Sequence, residues 1–474
     1  MHILCFLGRD YQNRLQSYNI FFEYANIIRK ICIFANIFVP LHPQMKQFVS
    51  KIWNSPSARN VGKLLSANVF AQAIGLLVYP VLTRLYTPED FGLLNLFLSI
   101  GAILVLLSTS EYQSAVLLPA EEKEAAGVSK VAFFALGLWL LVISLSLPFS
   151  NQIARLFDAP AMASYYWLLI PYVAVMGGWL IYNAWLMRRR DFGRISAYQL
   201  NQSGTGVLTK LIFGWAGWLR SGLILSSVIA PIIALTTSIF RSRDAFRKLW
   251  QPCEYSLQEL ACRYRRFPLY SMPRSLVNTL SGNLPALLLT PYFGLGQLGF
   301  FAMATTLAFR PITMITSSMY QVLFERVAQR VREGQSVWST LSRRWVQMAI
   351  IVIPIMALLA FIMPWLVRFL LGAGWEQTAT LIRYMLPWIT CVLMIAPLGF
   401  IGDVFGKQKL FLVIEIVYLG LRIGAMLVGI WMNSFAWAII LLSAAGTLVL
   451  SFQLMCYIYI LRKYESTRLS QAGE

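Results

Sequence analysis

The sequence is poor in charged residues and has almost no histidine. Charged side chains make up 13% of the 474 residues, whereas an ordinary soluble domain carries about 25%. The only histidines, His2 and His42, both precede the first long apolar run. A soluble fold is therefore not expected. A histidine-based metal site or general base within the apolar body is excluded.

Cysteine is sparse as well. None of the six cysteines belongs to a CxxC pair, so the spacing of a zinc or dithiol redox motif is missing. Cys253 and Cys262 lie in a loop predicted to be cytoplasmic, where free thiols are expected. The sequence also has no Walker A motif. We therefore expect no metal and no cofactor.

Apolar residues are abundant and occur in long runs. Hydrophobic residues make up 58% of the chain, and the mean hydropathy is +0.62. Runs of about 20 apolar residues have the length that crosses a bilayer as a helix. The net charge of +20 fits the excess of Lys and Arg in cytoplasmic loops of membrane proteins, so nucleic acid is not an expected partner.

The predicted fold is an all-α polytopic membrane protein with twelve transmembrane helices. The predicted spans are 62–83, 91–110, 131–149, 164–186, 195–218, 222–240, 268–291, 297–322, 345–367, 379–401, 410–431 and 435–460. Loops after even-numbered spans are basic, except for the acidic loop 111–130, whereas odd-numbered corners are short and carry few cations. Both termini are therefore expected in the cytoplasm.

The N-terminal residues 1–44 differ from the rest. Their apolar piece, Ile31–Val39, is too short to span a bilayer and lacks the cleavage site of a signal peptide. Met45 opens a plausible cytoplasmic N-terminus. We expect translation to begin at Met45, with 1–44 as an upstream extension; the alternative is an interfacial amphipathic arm.

The longest loop between spans divides the chain into two six-helix halves. The predicted segments are the half 45–240, the basic cytoplasmic linker 241–267, the half 268–461 and the cytoplasmic tail 462–474. Because each half has an even number of spans, both have the same orientation. A pseudo-two-fold axis along the membrane normal, with a central cleft between the halves, is therefore predicted.

Two short matches support an internal repeat. Thr87–Asn95 matches Gly294–Ala302 in hydrophobic pattern, which places Gly92 over Gly299. Ser108–Gln113 matches Thr316–Gln321 at nearly the same offset. The first pair contains a helix start, in which Thr87 is the N-cap, Pro88 follows, and two acids lie near the positive end of the helix dipole.

Ionisable residues deep in predicted spans are functional candidates because their burial in a bilayer is costly. Most are cations, which suits an anionic cargo. The predicted cargo-binding cations are Lys210, Arg310, Arg422 and Arg274. Arg274, like Arg383, lies early in its span, so extension to the membrane interface is the alternative. Glu415, two turns before Arg422 on one helix face, is the candidate for ion coupling; a structural pair with Arg422 is the alternative.

Spans five and seven are unusually polar. Such helix faces line a wet cleft or form hydrogen bonds with neighbouring helices, and we favour the cleft. The predicted polar lining of the cleft consists of Asn68, Gln72, Asn201, Gln202, Asn278 and Asn283.

Three segments carry a resemblance to a family. Asn68, Tyr79–Gly92 and Leu117–Ala125 resemble the N-terminal half of bacterial polysaccharide flippases of the MOP superfamily, which translocate O-antigen or exopolysaccharide repeat units. The resemblance implies movement of a polyprenyl-pyrophosphate-linked oligosaccharide across the bacterial inner membrane by alternating access, for synthesis of surface polysaccharide such as lipopolysaccharide. It also implies contact with membrane lipid, and with a polysaccharide polymerase and chain-length machinery as partners.

Other functions stay open. A multidrug or cation exporter of the same superfamily is one alternative, but the cationic interior and the lack of a buried acid in the first half speak against it. A non-transporting scaffold of a polysaccharide synthesis complex is another. A membrane enzyme is disfavoured because the outer corners are short and the body has no histidine, so we expect no enzymatic activity.

Overall fold

The computed structural model describes residue 72 and residues 75–333 and 335–472. Residues 1–44, Met45 and Asn68 lie outside this part of the chain. The described residues belong to one compact unit, Leu64–Glu474.

Helices account for nearly all of the regular structure in the described residues. The long helices are α1 (Gly75–Leu85), α2 (Pro88–Thr109), α3 (Glu122–Leu145), α4 (Leu169–Arg188), α5 (Phe192–Trp215), α6 (Leu219–Arg241), α7 (Met272–Arg332), α8 (Trp338–Leu371), α9 (Glu376–Ile395), α10 (Gln408–Trp431) and α11 (Phe435–Ala472). Shorter helical segments, such as Arg243–Leu249 and Leu257–Arg263, connect some of them.

Nine segments of the described residues are long and apolar enough to cross a membrane. One of them, Phe267–Ser317, is 51 residues long, which exceeds the length needed for a single crossing. Helix α5 has 24 residues but is not one of the nine, because its middle is rich in Asn, Gln, Ser and Thr. The protein is thus a multi-pass, all-helical membrane protein. The count of twelve spans and the two-fold axis stay predictions.

The predicted helix start at Thr87 is confirmed. The Asp90 amide donates to the Thr87 hydroxyl over 3.4 Å, and the Asp90 carboxylate accepts from the Thr87 amide over 2.9 Å. This reciprocal pair is a capping box, which satisfies two amides that the first turn leaves free. Pro88 occupies the first turn, where its missing amide hydrogen costs nothing.

Helix α7 is broken at Gly294. Gly294 has φ 77° and ψ 171°, a conformation that glycine adopts without the clash that a Cβ would cause. The break separates the segment up to Phe293 from the segment that starts at Leu295. It lies between the spans predicted at 268–291 and 297–322.

The linker between the predicted halves packs against the start of α3. The Arg263 guanidinium pairs with the Glu124 carboxylate over 2.7 Å, and the Tyr264 hydroxyl donates to the same carboxylate over 3.1 Å. Burial, followed by the hydrogen bond to Glu124, raises the pKa of Tyr264. The Lys130 ammonium donates to the Gln251 carbonyl over 2.7 Å. These contacts attach the linker to the first half.

Candidate functional site

Helices α2 and α7 meet through two glycines. A Cβ on Gly92 would overlap the Leu295 carbonyl group, and a Cβ on Gly299 would overlap the Pro88 carbonyl group. Only residues without side chains allow this backbone approach. The two positions that match in the repeat therefore pack against each other, and each glycine meets a backbone carbonyl of the other helix.

Trp375 extends this contact at the start of α9. Its side chain is 2% exposed, and its indole N–H donates to the Thr83 carbonyl over 3.1 Å. The ring lies edge-on to Phe91 at 5.5 Å and to Phe300 at 5.8 Å. Residues of both predicted halves are thus held together around one indole ring. We call Gly92, Gly299 and Trp375 with these partners the closed end.

A shallow recess of about 510 Å³ lies beside the closed end. Its wall includes Arg220 of α6, which pairs with Glu89 over 2.8 Å and with Asp90 over 3.3 Å. These acids neutralise the arginine, so the recess lacks the unpaired positive charge that an anion would need.

A second cavity, of about 290 Å³, lies further along the same helices and is called the central cavity. Asn95 and Ser99 contribute to its wall from α2, at three and seven residues after Gly92, which is the helical spacing of a single face. Its lining residues are Asn95, Ser99, Gly282, Asn283, Pro285, Ala286, Phe301, Thr305, Phe309, Trp388 and Arg422. They come from α2, both segments of α7, α9 and α10.

Arg422 is the charged group of the central cavity. Its guanidinium donates to the Ser281 hydroxyl over 2.9 Å and lies over the rings of Tyr418 at 5.1 Å and Trp388 at 5.7 Å. Its Nε is buried and has no hydrogen-bond partner among the described residues. The described lining of the cavity contains no Asp or Glu. The site therefore combines one uncompensated cation with amides, hydroxyls and an aromatic surface.

The predicted residues of span seven lie on two different faces of α7. Asn283 lines the central cavity, and its amide donates to the Thr279 carbonyl over 2.8 Å. Arg274 and Asn278 are exposed and precede Gly282 at eight and four residues, on the same face. Arg274, Asn278 and the cavity-lining Gly282 thus follow one another along one face of α7.

Lys210 and Arg310 form a second cationic pair. They are close enough for their charges to repel each other. The Arg310 guanidinium lies 5.6 Å from the centre of the Tyr79 ring and borders Gly75 on α1. The Tyr86 hydroxyl donates to the backbone carbonyl of Lys210 over 2.6 Å, which fixes α5 beside α1. Phe309, next to Arg310, belongs to the central cavity.

The other predicted residues lie elsewhere. Glu415 is exposed and lies near Tyr418, and no ion pair among the described residues joins it to Arg422. Asn201 lines a small pocket between α5 and α6, and Gln202 lies against the Met176 sulfur of α4. Gln72 is half-buried, and Asn68 is outside the described residues.

Sequence reasoning identified Asn283 and Arg422 among the lining residues of the central cavity but missed the others that can form hydrogen bonds, which are Asn95, Ser99, Thr305 and Trp388. Asn95 and Ser99 are isolated polar residues in an apolar run, and Thr305 has only Thr306 beside it, so no larger polar cluster marks them. The spacing from Gly92 to Asn95 and Ser99 was the available signal, because Gly92 marks the face that meets α7. The described residues contain no group of His, Cys, Asp and Glu that would hold a metal ion.

Solved structures with a similar fold are membrane transporters. The lipid II flippase MurJ in an inward-closed conformation has a TM-score of 0.65 at 14% identity, over 86% of this chain and 92% of that chain. An inward-facing multidrug-resistance MATE transporter has a TM-score of 0.58 at 16% identity, over 85% and 96%. A MOP superfamily transporter from Pyrococcus furiosus has a TM-score of 0.53 at 13% identity, over 87% and 98%. The fold is that of MOP superfamily transporters.

The chain belongs to the polysaccharide biosynthesis protein family, whose model matches residues 81–380, more than half of the chain. A curated relative, the succinoglycan biosynthesis transport protein ExoT of Rhizobium meliloti, is 23% identical over 280 residues. That match covers 58% of this chain and 55% of the relative, so it spans about half of the relative's length. The predicted membership in the polysaccharide branch of this superfamily is confirmed.

Proposed function

We propose that this protein translocates a polyprenyl-pyrophosphate-linked oligosaccharide across the bacterial inner membrane by alternating access, without chemical conversion of its cargo. The observation that carries the proposal is Arg422 in the central cavity. A guanidinium without a neighbouring acid binds pyrophosphate oxygens through charge-assisted hydrogen bonds. The surrounding amides, hydroxyls and the Trp388 ring suit sugar hydroxyls and sugar faces.

Lys210, Arg310 and Arg274 are proposed as further contacts for the anionic cargo. The like charges of Lys210 and Arg310 act on each other, and a pyrophosphate bound near both would offset their repulsion. Arg274 lies at the exposed start of the α7 face that leads to Gly282 and would meet the cargo first. Asn278 follows on this face, and Asn283 lines the central cavity from another face of the helix. In this proposal the lipid tail stays in the bilayer.

The family and the relative's name support the cargo class. Both refer to polysaccharide biosynthesis, and the MurJ structure is that of a lipid-linked saccharide flippase. A drug-cation exporter has the same fold, but it would need a negative charge where this cavity holds Arg422. We further propose that both termini lie in the cytoplasm, that Glu415 takes part in ion coupling, and that a polymerase and chain-length machinery act on the product.

The test is reconstitution of the full chain in liposomes that contain a fluorescent lipid-linked oligosaccharide. Translocation is measured as the time-dependent accessibility of the sugar to a membrane-impermeant lectin. We expect transport by the native protein and at least a tenfold loss in Arg422→Gln. Arg383→Gln removes an equal charge from an exposed position on α9 and should retain transport. Movement of cationic drugs without movement of the sugar lipid would overturn the proposal.

A further inference from the structure

A small pocket between α5 and α6 shares no lining residue with the central cavity. Its volume is about 50 Å³, and its lining residues are Arg194, Ala197, Tyr198, Asn201, Ala234, Thr237, Ser238, Arg241 and Ser242. It lies where α5 begins and α6 ends, at the basic end of both helices. Two arginines, an amide and several hydroxyls thus meet in a space with room for one or two water molecules of about 30 Å³ each, or for one tetrahedral phosphate group.

Two hydroxyls in the pocket wall have no partner in the protein. Tyr198 is 2% exposed and Ser238 is 8% exposed. The Tyr198 Oη and Ser238 Oγ atoms are fully buried and form no hydrogen bond with another described residue. A buried hydroxyl without a partner costs roughly 1–3 kcal/mol, so these two atoms point to a ligand. The Ser242 Oγ atom, by contrast, lies beside the Tyr182 hydroxyl.

Ser238 departs from the pattern of its own helix. The Thr236 and Thr237 hydroxyls donate to the carbonyls four residues earlier, each over 2.6 Å. This bond is the usual way in which hydroxyls are satisfied in a membrane helix. Ser238 follows directly but does not form it. Its hydroxyl is therefore available to accept or donate within the pocket.

The charges of the pocket favour an anion. Arg241 is exposed and forms no ion pair with another described residue, whereas Arg194 pairs with Asp191 over 3.0 Å. With Asp191 included, the two arginines leave one net positive charge at the pocket. The Asn201 amide provides a further donor without a hydrogen bond to other described side chains. A phosphate group in the pocket would accept from Arg241, and its other oxygens would offer acceptors for the unpartnered hydroxyls in the pocket wall.

The exposed apolar residues next to the pocket indicate that the anion is the phosphate group of a lipid. Leu200 and Phe240, which neighbour pocket residues in the chain, are 37% and 60% exposed. Apolar side chains beside an arginine at the end of a membrane helix suit the boundary between headgroups and acyl chains. We propose that this pocket binds the phosphate group of an anionic phospholipid.

The test measures lipid retention rather than transport, so it is independent of the proposed function. The full chain is reconstituted in nanodiscs of phosphatidylcholine with phosphatidylglycerol, released into mild detergent, and examined by native mass spectrometry. We expect one tightly retained phosphatidylglycerol in the native protein and about tenfold less in Arg241→Gln. Arg243→Gln is the matched control, because it removes an equal charge two residues away, outside the pocket, and should retain the lipid.

Tyr198→Phe separates binding from structure. It removes the unpartnered hydroxyl but keeps the ring that stacks on Trp179 at 3.3 Å. We expect weaker lipid retention, by about threefold or more, without a loss of thermal stability. Lower stability with unchanged retention would overturn the proposal. So would equal retention in Arg241→Gln and Arg243→Gln, full displacement of the lipid by millimolar inorganic phosphate, or preferential binding of undecaprenyl pyrophosphate.

Discussion

The closed end and the central cavity lie on the same pair of helices but consist of different kinds of residues. At the closed end, α2 and α7 touch through the backbone of Gly92 and Gly299, and the neighbouring side chains are aromatic. Three and seven residues further along α2, Asn95 and Ser99 face a polar space that holds Arg422. One helix face can therefore form a tight helix–helix contact at one level and line a polar cavity at another. Small residues permit close contact between helices, whereas polar residues require a hydrogen-bonding partner.

Disruption of the glycine contact should have the largest effect. Gly92→Val places side-chain atoms where the Leu295 carbonyl lies, and backbone cannot move aside as a flexible side chain does. We expect destabilisation of about 3 kcal/mol, the upper end of the cost of overpacking. The measurement is the fraction of monodisperse protein after heating. Gly137→Ala, which adds a methyl group in open space, is the control. Equal stability of the two variants would show that Gly92 is not in tight contact with the backbone of α7.

Removal of the cavity cation should have the next largest effect. Arg422→Gln takes away a charge-assisted interaction of about 1.5–3 kcal/mol, so affinity for a pyrophosphate lipid should fall at least tenfold while stability changes little. Arg422→Lys keeps the charge but loses the planar fork and the contacts with Tyr418 and Trp388. It should bind with intermediate affinity, measured by microscale thermophoresis. Full affinity in Arg422→Gln would show that the pyrophosphate group binds outside the central cavity.

The Trp375 indole should contribute less. Trp375→Phe removes the donor to the Thr83 carbonyl but keeps an aromatic ring beside Phe91 and Phe300. We expect a cost of about 1 kcal/mol and a shift towards conformations in which the closed end is open. Cross-linking between cysteines placed at Glu89 and Gly296, which lie side by side, in a background without other cysteines, should become slower. An unchanged rate would mean that the glycines alone hold this end.

The smallest effect is expected for Arg220. Its side chain is 49% exposed, and Asp90 also accepts from the Thr87 amide and hydroxyl. Arg220→Gln should therefore reduce stability by less than about 1 kcal/mol, and high salt should remove the difference in a thermal unfolding measurement. A larger loss of stability that persists in high salt would show that the ion pairs of Arg220 help to hold the closed end together.

Much of the fold was predictable because local rules determine it. The capping box at Thr87 follows from residue types at fixed spacing, and the long apolar helices follow from their length and hydropathy. The break at Gly294 falls where a corner was predicted, although the structure shows one glycine rather than a loop. Family membership was also recognisable from the Tyr79–Gly92 segment.

The site was harder to predict because it depends on which helices are neighbours. The seven-residue spacing correctly places Glu415 and Arg422 on related faces, but it does not reveal that Ser281 of α7 is the hydrogen-bond partner of Arg422. Polarity alone did not separate the cavity from other polar places, so Asn201 was grouped with Asn283 although they line different pockets. The repeat identified Gly92 and Gly299 as equivalent, but only tertiary structure places them in contact.

The glycine contact also has a consequence for the rate of the conformational change in the proposed transport cycle. Long side chains can remain in touch while two helices separate, but backbone packed on backbone has a very short reach. A gap of about 1 Å already forfeits up to about half of the dispersion attraction between the contacting atoms. The closed end should therefore pass abruptly between sealed and parted states. Single-molecule distance records across it should show two discrete populations with brief jumps between them.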